Sequence, residues 1–463
     1  MYLALLYIYF TWLALQNFLL PLAYQQGWLP AGLVVVLMGV KEVVMMLALL
    51  ALGYRAFQKG WRFNAADKFA FAYAVLLVLY FTFAPLILGS TVPFFVRIVS
   101  LRYLIALVAF YFWGRLSYLE LDELRRAIRF VLGLQVAVAL FGIFEWAFLP
   151  ISFWSETVGA GNFLVNIKGL IDGYNVIDGL VANMYRFDIR RLVSTYADPL
   201  SMGIACVFPL LLCVAWLFLK KPGEDPRQSR KWWMAGIIIA VALVLTIGRE
   251  SIGAAALGLV LLTWWCGKSK QVVIPVALMA CVVALLPSAW ANISDTFTFK
   301  EDSASVHLRF IENGWEKVPQ LLVGQGLGES GGWAFSLAGK DSGVGEDSYF
   351  ELMSQAGLLS VVLLIGFLVS TLRNSLWYAR RCADPLIAAA FLAAAANIVA
   401  RSLFSVFSGA LFGVIPMASF LFLCGASFTT MQRTGVRPGF VLRKAFIRHQ
   451  SLAHPETVAG VAQ

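Results

Sequence analysis

The sequence is poor in charge. Only 13% of its 463 residues are Asp, Glu, Lys or Arg, about half the share of a water-soluble domain, so the chain lacks the polar surface to face water on all sides. Histidine is scarcer still. His307, His449 and His454 are the full set, and nothing at helical spacing from them completes a triad or a metal-ligand group. The six cysteines (Cys206, Cys213, Cys266, Cys281, Cys382, Cys424) fall within or at the ends of apolar runs, with no CxxC and no His–Cys spacing. That argues against a disulfide framework or a structural zinc site. No internal repeat is present, and no cytoplasmic segment is large enough for an ATPase domain.

What the chain has instead is apolar length. Hydrophobic residues make up 60%, mean hydropathy is +0.78, and the apolar runs are roughly 20 residues long, enough for a helix to cross about 30 Å of hydrocarbon. The pattern predicts an all-α, polytopic integral membrane protein with about 12 transmembrane helices, near 2–24, 30–53, 67–86, 98–115, 127–149, 196–219, 232–248, 250–266, 271–288, 347–371, 383–400 and 405–429. Two connections are long, 150–195 and 289–346. They divide the chain into N-terminal membrane helices (1–149), a first long loop (150–195), central helices (196–288), a second long loop (289–346), C-terminal helices (347–429) and a tail (430–463). The N-terminus has no basic region and no small-residue cleavage site, so it reads as a retained first helix rather than a signal peptide.

Lys and Arg alternate with the loops. Arg55/Lys59/Arg62, Arg125/Arg126/Arg129, the Lys220–Lys231 group, Lys268/Lys270 and Arg373/Arg380/Arg381 occupy every second linker, and the tail adds Arg433, Arg437, Arg443, Lys444 and Arg448. The positive-inside rule places these linkers and both termini in the cytoplasm and the two long loops outside. The net charge of +10 is then a topology signal supplemented by attraction to anionic headgroups, and nucleic acid is not implied.

Long loops are usually functional or disordered. These two carry Trp154, Phe163, Tyr185, Trp315 and Phe335, and disordered segments are depleted in aromatics. The stretch from Val306 to Trp315 fits an amphipathic helix at the interface, with Leu308, Ile311 and Trp315 on one stripe. The run Gly324-Gln325-Gly326-Leu327-Gly328 lacks the Lys of a P-loop and reads as a flexible turn. Arg97 and Arg102 fall at the outer end of the fourth span, Arg186, Arg190 and Arg191 precede the sixth, Arg249 lies in the link between the seventh and eighth, Arg309 is in the second long loop, and Arg401 stands at the head of the twelfth. Singly each is a structural partner for a carboxylate. As a set on the outer face they suit an anionic ligand, because guanidinium groups match phosphate oxygens in a bidentate way. Lys41-Glu42 puts two ionisable residues near the middle of the second span, where such groups are functional candidates. Lys41 is expected to pair with a carboxylate on another helix or to snorkel.

The most informative stretch is Gly345-Glu346-Asp347-Ser348-Tyr349-Phe350-Glu351, where adjacent carboxylates meet the start of a membrane helix. It opens a motif that runs from Glu346 to Gly357 and that, with three others, resembles the O-antigen ligase and O-antigen polymerase superfamily of bacterial membrane glycosyltransferases. The other three are Arg191–Leu200, similar to a basic-then-Thr-Phe-x-x-Pro helix entry; Thr246–Gly253, similar to a Ser-Arg-Gly helix start; and Arg309–Trp315 followed by Leu321–Gly328, similar to an Arg-x-x-x-Trp and glycine-rich loop. Family ligases typically carry His-Asn-x-Tyr/Phe-Leu-Glu at the fourth motif. Here Glu346-Asp347 fills the His-Asn positions, which favours the polymerase side.

The resemblance implies a multi-pass protein of the bacterial inner membrane that polymerises O-antigen or exopolysaccharide repeat units linked to undecaprenyl pyrophosphate. A ligase that transfers glycan to lipid A-core is the alternative, and a transporter of the same lipid is a third. It implies no cofactor and no metal, with membrane lipid and the lipid-linked oligosaccharide as ligands and a chain-length regulator as a candidate partner. Glu346 or Asp347 would take the acceptor proton, and Arg191, Arg249 and Arg309, with Arg97 and Arg102 by location, would hold the pyrophosphate. The plainer use of Asp347 is to cap a helix N-terminus.

Overall fold

A computed structural model describes residues 2–58, 61, 63–169, 184–186, 189–220, 223, 225–268, 302–339, 347–406 and 409–434. Five long helices open the chain: α1 (Tyr2–Gln25), α2 (Ala31–Gln58), α3 (Ala65–Ile87), α4 (Phe94–Leu116) and α5 (Leu121–Phe148). A π-helical turn at Phe153–Thr157, the short α6 (Ala160–Asn166) and a hairpin of two-residue strands, β1 (Tyr185–Arg186) and β2 (Ile189–Arg190), come next. The chain continues with α7 (Pro199–Leu219), α8 (Pro226–Leu245), α9 (Arg249–Trp265), α10 (Asp302–Leu321), α11 (Gly332–Ala338), α12 (Ser348–Arg381), α13 (Pro385–Phe404) and α14 (Val414–Arg433).

Among the described residues, ten of these helices are long and apolar enough to span a membrane, and α9 has 17 residues. The chain is an all-α, multi-pass membrane protein. The span expected at 271–288 lies outside the described residues.

Several helices begin where an acidic side chain supplies what the first turn lacks. Asp198, Asp225 and Asp384 each accept from backbone N–H groups of α7, α8 and α13, and each precedes a proline at the first helical position, where a missing N–H costs nothing. Some boundaries differ from those read off hydropathy. The fourth helix starts at Phe94, so Arg97 falls in its first turn, at the outer end as expected, and Arg102 lies further in. Arg97 is accommodated by placing its guanidinium over the Phe81 and Phe94 rings, 5.9 and 5.5 Å from their centroids. The helix expected at 383–400 continues to Phe404, and the last begins at Val414 after a 3-10 turn. Arg401 therefore sits in the final turn of α13 and not at the head of the following helix.

The interior is built from α7, α13 and α14, most of whose residues are buried, whereas α2 buries only Val34, Leu52 and Ala56. α14 lies along α4 so closely that a Cβ on Gly114 would meet Phe422 O at 2.0 Å and one on Gly425 would meet Tyr111 O at 2.1 Å. Small residues are what allow helix backbones to touch in lipid. At one end of the bundle Asp67 and Arg115, both 0% exposed, form a bidentate pair of 2.7 and 2.6 Å, with Tyr111 Oη donating to Asp67 at 2.7 Å.

The opposite end, where α1, α3, α5, α8 and α13 finish and α2, α4, α7, α9, α12 and α14 begin, is less regular. Helix α12 is broken at Ala356 (φ −131°, ψ 16°) and Gly357 (φ 75°, ψ 172°). The glycine run after α10, expected as a flexible turn, is an ordered strap across this break. Gln325 N donates to Ser354 O (2.7 Å), Gly326 N to Gln355 O (3.1 Å), and Leu358 N to Leu322 O (3.0 Å). Gly328 N donates to the Gln355 side chain (3.0 Å), and Tyr80 Oη donates to Val323 O. The strap has glycine at Gly324 because a Cβ there would lie 2.6 Å from Gly357 N, and a Cβ on Gly357 would lie 2.7 Å from Val323 O.

The backbone of Gly357 is in a region essentially closed to other residues, at a cost of about 1–3 kcal/mol for entering it. Gly357→Val should therefore destabilise the protein by at least that amount, with the clash added. Thermal unfolding of the purified protein checks this, and an unchanged midpoint would mean the break does not need glycine.

Candidate functional site

The loop end gathers the four motifs through a chain of contacts. Arg191, 4% exposed, donates from Nε to Thr246 O (2.7 Å), and Leu192 N donates to Leu245 O (2.8 Å). The first and second motifs are thus joined directly. Arg249 is the first residue of α9, and the next residue, Glu250, accepts from Arg401 Nη1 at 2.9 Å. Arg401 is 1% exposed and also donates to Ile204 O (3.0 Å).

One residue on, the end of α13 meets the fourth motif. Tyr349 Oη donates to Ser402 O (2.8 Å), and Ser348 N donates to Ser405 O (3.2 Å). The fourth motif is tied in turn to the third by the strap. Helix α10, which carries Arg309, packs on α12 through Trp315 and Phe350, whose rings meet edge-on at 5.6 Å. The Val306–Trp315 stretch is helical as expected, within a longer helix over Asp302–Leu321; Trp315 is 68% exposed and Arg309 is exposed.

Asp347 caps α12. Its Oδ1 accepts from Tyr349 N (2.8 Å) and Phe350 N (2.9 Å), which is the capping use expected for it. The second oxygen is different. Asp347 is 3% exposed, and Oδ2 is buried with no hydrogen-bond partner among the described residues. Burial pushes the carboxyl up to about 6, against the two backbone N–H groups that pull it down. Other buried polar atoms of the same region also lack a partner among the described residues: Ser402 Oγ, Ser405 Oγ, Arg401 Nε and Thr195 Oγ1. Such atoms are rare in folded proteins and call for an explanation. They lie on segments that touch one another and leave donors and acceptors unused among the described residues.

The sequence-predicted residues divide accordingly. Arg191, Arg249 and Asp347 belong to the connected set, and Arg309 rides on a helix that packs against it. Glu346 lies outside the described residues. Arg97 is on the far side of the strap, where a Cβ on Gly328 would come 3.5 Å from Arg97 N. Arg102 is paired with Glu42 on α2 at 3.1 Å. Arg190, set beside Arg191 in the sequence, is a structural partner: it pairs with the fully buried Glu145, which also accepts from Trp154 Nε1 (2.9 Å). Lys41 finds its carboxylate on its own helix, Glu42 at 3.6 Å, instead of on another.

Three members of the set have no individual role in the reading of the sequence. Arg401 and Glu250 are the most committed pair, and the signal for them is an ionisable residue inside an apolar run and a carboxylate beside Arg249. Glu351 is the third. It is 4% exposed, its Oε1 accepts from Gln355 Nε2 (3.3 Å), and Ser330 Oγ reaches its backbone carbonyl (3.4 Å). Its position matches the Glu of the family pattern quoted for the fourth motif.

Removing one partner of a buried ion pair costs about 3–5 kcal/mol because the other charge is stranded. Glu250→Ala should lose stability on that scale, and Glu250→Leu combined with Arg401→Met should regain most of it. Unfolding midpoints of the single and double variants decide the matter; equal losses in both would refute the pairing as a source of stability. No protein-family model matches the chain, and no curated protein does.

Proposed function

We propose that the protein is a glycosyltransferase of the bacterial inner membrane that polymerises undecaprenyl-pyrophosphate-linked O-antigen or exopolysaccharide repeat units at the periplasmic ends of its helices. The observation that carries this reading is the divided carboxylate of Asp347: one oxygen held by the α12 N-terminus, the other buried, unpartnered among the described residues and close to neutral in its proton affinity. The order of the four motifs and their resemblance to the O-antigen superfamily supply the substrate class.

In this mechanism Asp347 Oδ2 accepts the proton of the acceptor hydroxyl. The hydroxyl oxygen forms a bond to the anomeric carbon of the donor sugar, the bond from that carbon to the phosphate oxygen breaks, and undecaprenyl pyrophosphate leaves with the electron pair. A base of this affinity is matched to proton abstraction near neutral pH. The negative charge that develops on the leaving pyrophosphate is met by arginines. Arg191 and Arg249 stand on the joined motifs, and Arg309 is carried by α10, which packs on α12. A guanidinium held in place, as that of the buried Arg191 is, stabilises such charge without reorganisation.

The capping and chemical uses of Asp347 are separable. Asparagine and serine cap as well as aspartate does, so Asp347→Asn and Asp347→Ser should unfold within about 0.5 kcal/mol of the native protein yet polymerise about 10²–10⁴-fold more slowly. Because the carboxyl is raised and acts when ionised, the native rate should climb as pH rises through about 6 and level off above it. Polymerisation of purified lipid-linked repeat units, read on gels against pH, is the measurement. Native-like rates in both variants would remove Asp347 from the reaction. Transfer of preformed polymer to lipid A-core, with no chain growth, would identify a ligase instead.

A further inference from the structure

Away from the Asp347 set, three cations meet where α2 and α4 approach the end of α6. Lys41 Nζ lies 3.6 Å from Glu42 Oε1 and donates to Met38 O (3.1 Å). Arg102 reaches the same Glu42 oxygen from α4 at 3.1 Å. Lys168 adjoins Ile167, which packs with Leu37 and Met38 of α2 on the small core of Leu20, Val34 and Phe163. Its ammonium stands over the Phe163 ring at 5.8 Å and faces Lys41, Arg102 and Asp198. Asp198 commits both carboxylate oxygens to the start of α7, at Leu200 N (3.3 Å) and Ser201 N (2.7 Å). Glu42 answers Lys41 and Arg102 alone, and Lys168 adds a third cation that both of them repel.

A surplus of positive charge this close to hydrocarbon is costly unless an anion shares it. Burial above all pushes the Lys168 ammonium down to about 8, with Lys41 and Arg102 adding to it and Asp198 opposing. The surroundings are equally specific. Apart from Val34, Leu52 and Ala56, α2 is not buried, and Val36, Val43, Met46, Leu47 and Leu50 are all more than half exposed. An apolar face thus runs along the helix that carries Lys41. The combination fits a molecule with a doubly charged head and a long hydrocarbon tail.

We propose that Lys41, Arg102 and Lys168 form a second anion site, which takes the pyrophosphate of an isoprenoid-linked lipid whose hydrocarbon lies along the exposed face of α2. The inference rests on the polymerase reading for the kind of lipid: joining two lipid-linked units requires two pyrophosphate lipids at once, and the Asp347 set provides for one. Asp198, at the end of the first motif, brings the two sites side by side.

The test is lipid binding by the full chain in nanodiscs of uncharged phosphatidylcholine, read by native mass spectrometry with undecaprenyl pyrophosphate as the probe. The native protein should hold two such lipids. Lys168→Ala, outside the membrane helices, should weaken the second by about tenfold or more, as expected for loss of one charged contact. The triple change Lys41→Met, Glu42→Gln and Arg102→Met removes the charges together, so that none is stranded, and should abolish it. Unfolding midpoints confirm that both variants are folded. Two lipids bound at native affinity in both variants would overturn the proposal. So would inorganic pyrophosphate binding this site as tightly as the lipid, which would make it a site for the free anion. Lipid lost from the variants, in a native protein that does not polymerise, would sink the polymerase reading and leave the site standing. The reverse pattern would do the opposite.

Discussion

Hydrocarbon offers a backbone no hydrogen bonds, and a helix interrupted inside a membrane protein must find them within the protein. The break of α12 at Ala356 and Gly357 is the point on which the rest of the loop end depends. Its carbonyls at Ser354 and Gln355 and its N–H at Leu358 are taken up by the Leu322–Gly326 strap. The pairing fixes the strap, and the strap continues directly from the last residue of α10. The position of α10 over the start of α12, and with it Arg309, is therefore set by how the break is satisfied. So is the position of the first turns of α12, where Asp347, Glu351 and Gln355 are buried in protein rather than exposed to lipid.

The second constraint is charge. A guanidinium cannot shed its proton to enter an apolar interior, so each buried arginine must be answered by an acceptor. The bundle answers in two ways. At one end, Arg115 is met by Asp67 in bidentate fashion, and Tyr111 and Thr429 complete the set; this is a closed, structural arrangement. At the loop end the answers are partial. Arg401 has Glu250 and a carbonyl for its Nη atoms but nothing among the described residues for Nε. Asp347 has a cap for one oxygen and nothing comparable, among the described residues, for the other. A closed network stabilises a fold, whereas a partial one, repeated over several adjoining segments, leaves donors and acceptors that a polar ligand could use.

Much of the fold is legible because hydropathy reports it directly: runs of apolar residues, punctuated by Asp-Pro pairs, form helices with the order and nearly the lengths expected. The misreadings have a common cause. Hydropathy stops its spans short of Arg97 and Arg401 and puts Arg102 near an end, since charge is costly in lipid, but α4 and α13 run through all three because a neighbour makes each tolerable. Aromatic rings do so for Arg97, Glu42 for Arg102, and Glu250 for Arg401. Hydropathy sees a residue alone and has no access to its partner. The glycine run misleads for a related reason. Glycines that permit flexibility and glycines that permit close approach are identical in sequence, and only the facing Gly357 separates them. The site is legible where a motif bundles residues locally, as at Asp347, Arg191 and Arg249. It is hidden where the partner comes from far along the chain, as Arg401 does for Glu250.

The affinity of Asp347 for its proton is the outcome of two opposed environments, and each is needed. Placed at an exposed cap, with two N–H groups and a helix dipole before it, the carboxyl would stay near its ordinary value, where it is ionised but a feeble base. Buried without the cap, it would rise further and be protonated at neutral pH, unable to accept anything. Capping through Oδ1 also fixes the carboxylate plane, so that Oδ2 is held in one direction without help from another side chain. Histidine, usual at the preceding position in family ligases, gains such orientation from a second residue that holds its far nitrogen. On the proposed reading a single aspartate would supply both the anchor and the base, so the departure from the ligase pattern does not by itself empty the site of chemistry.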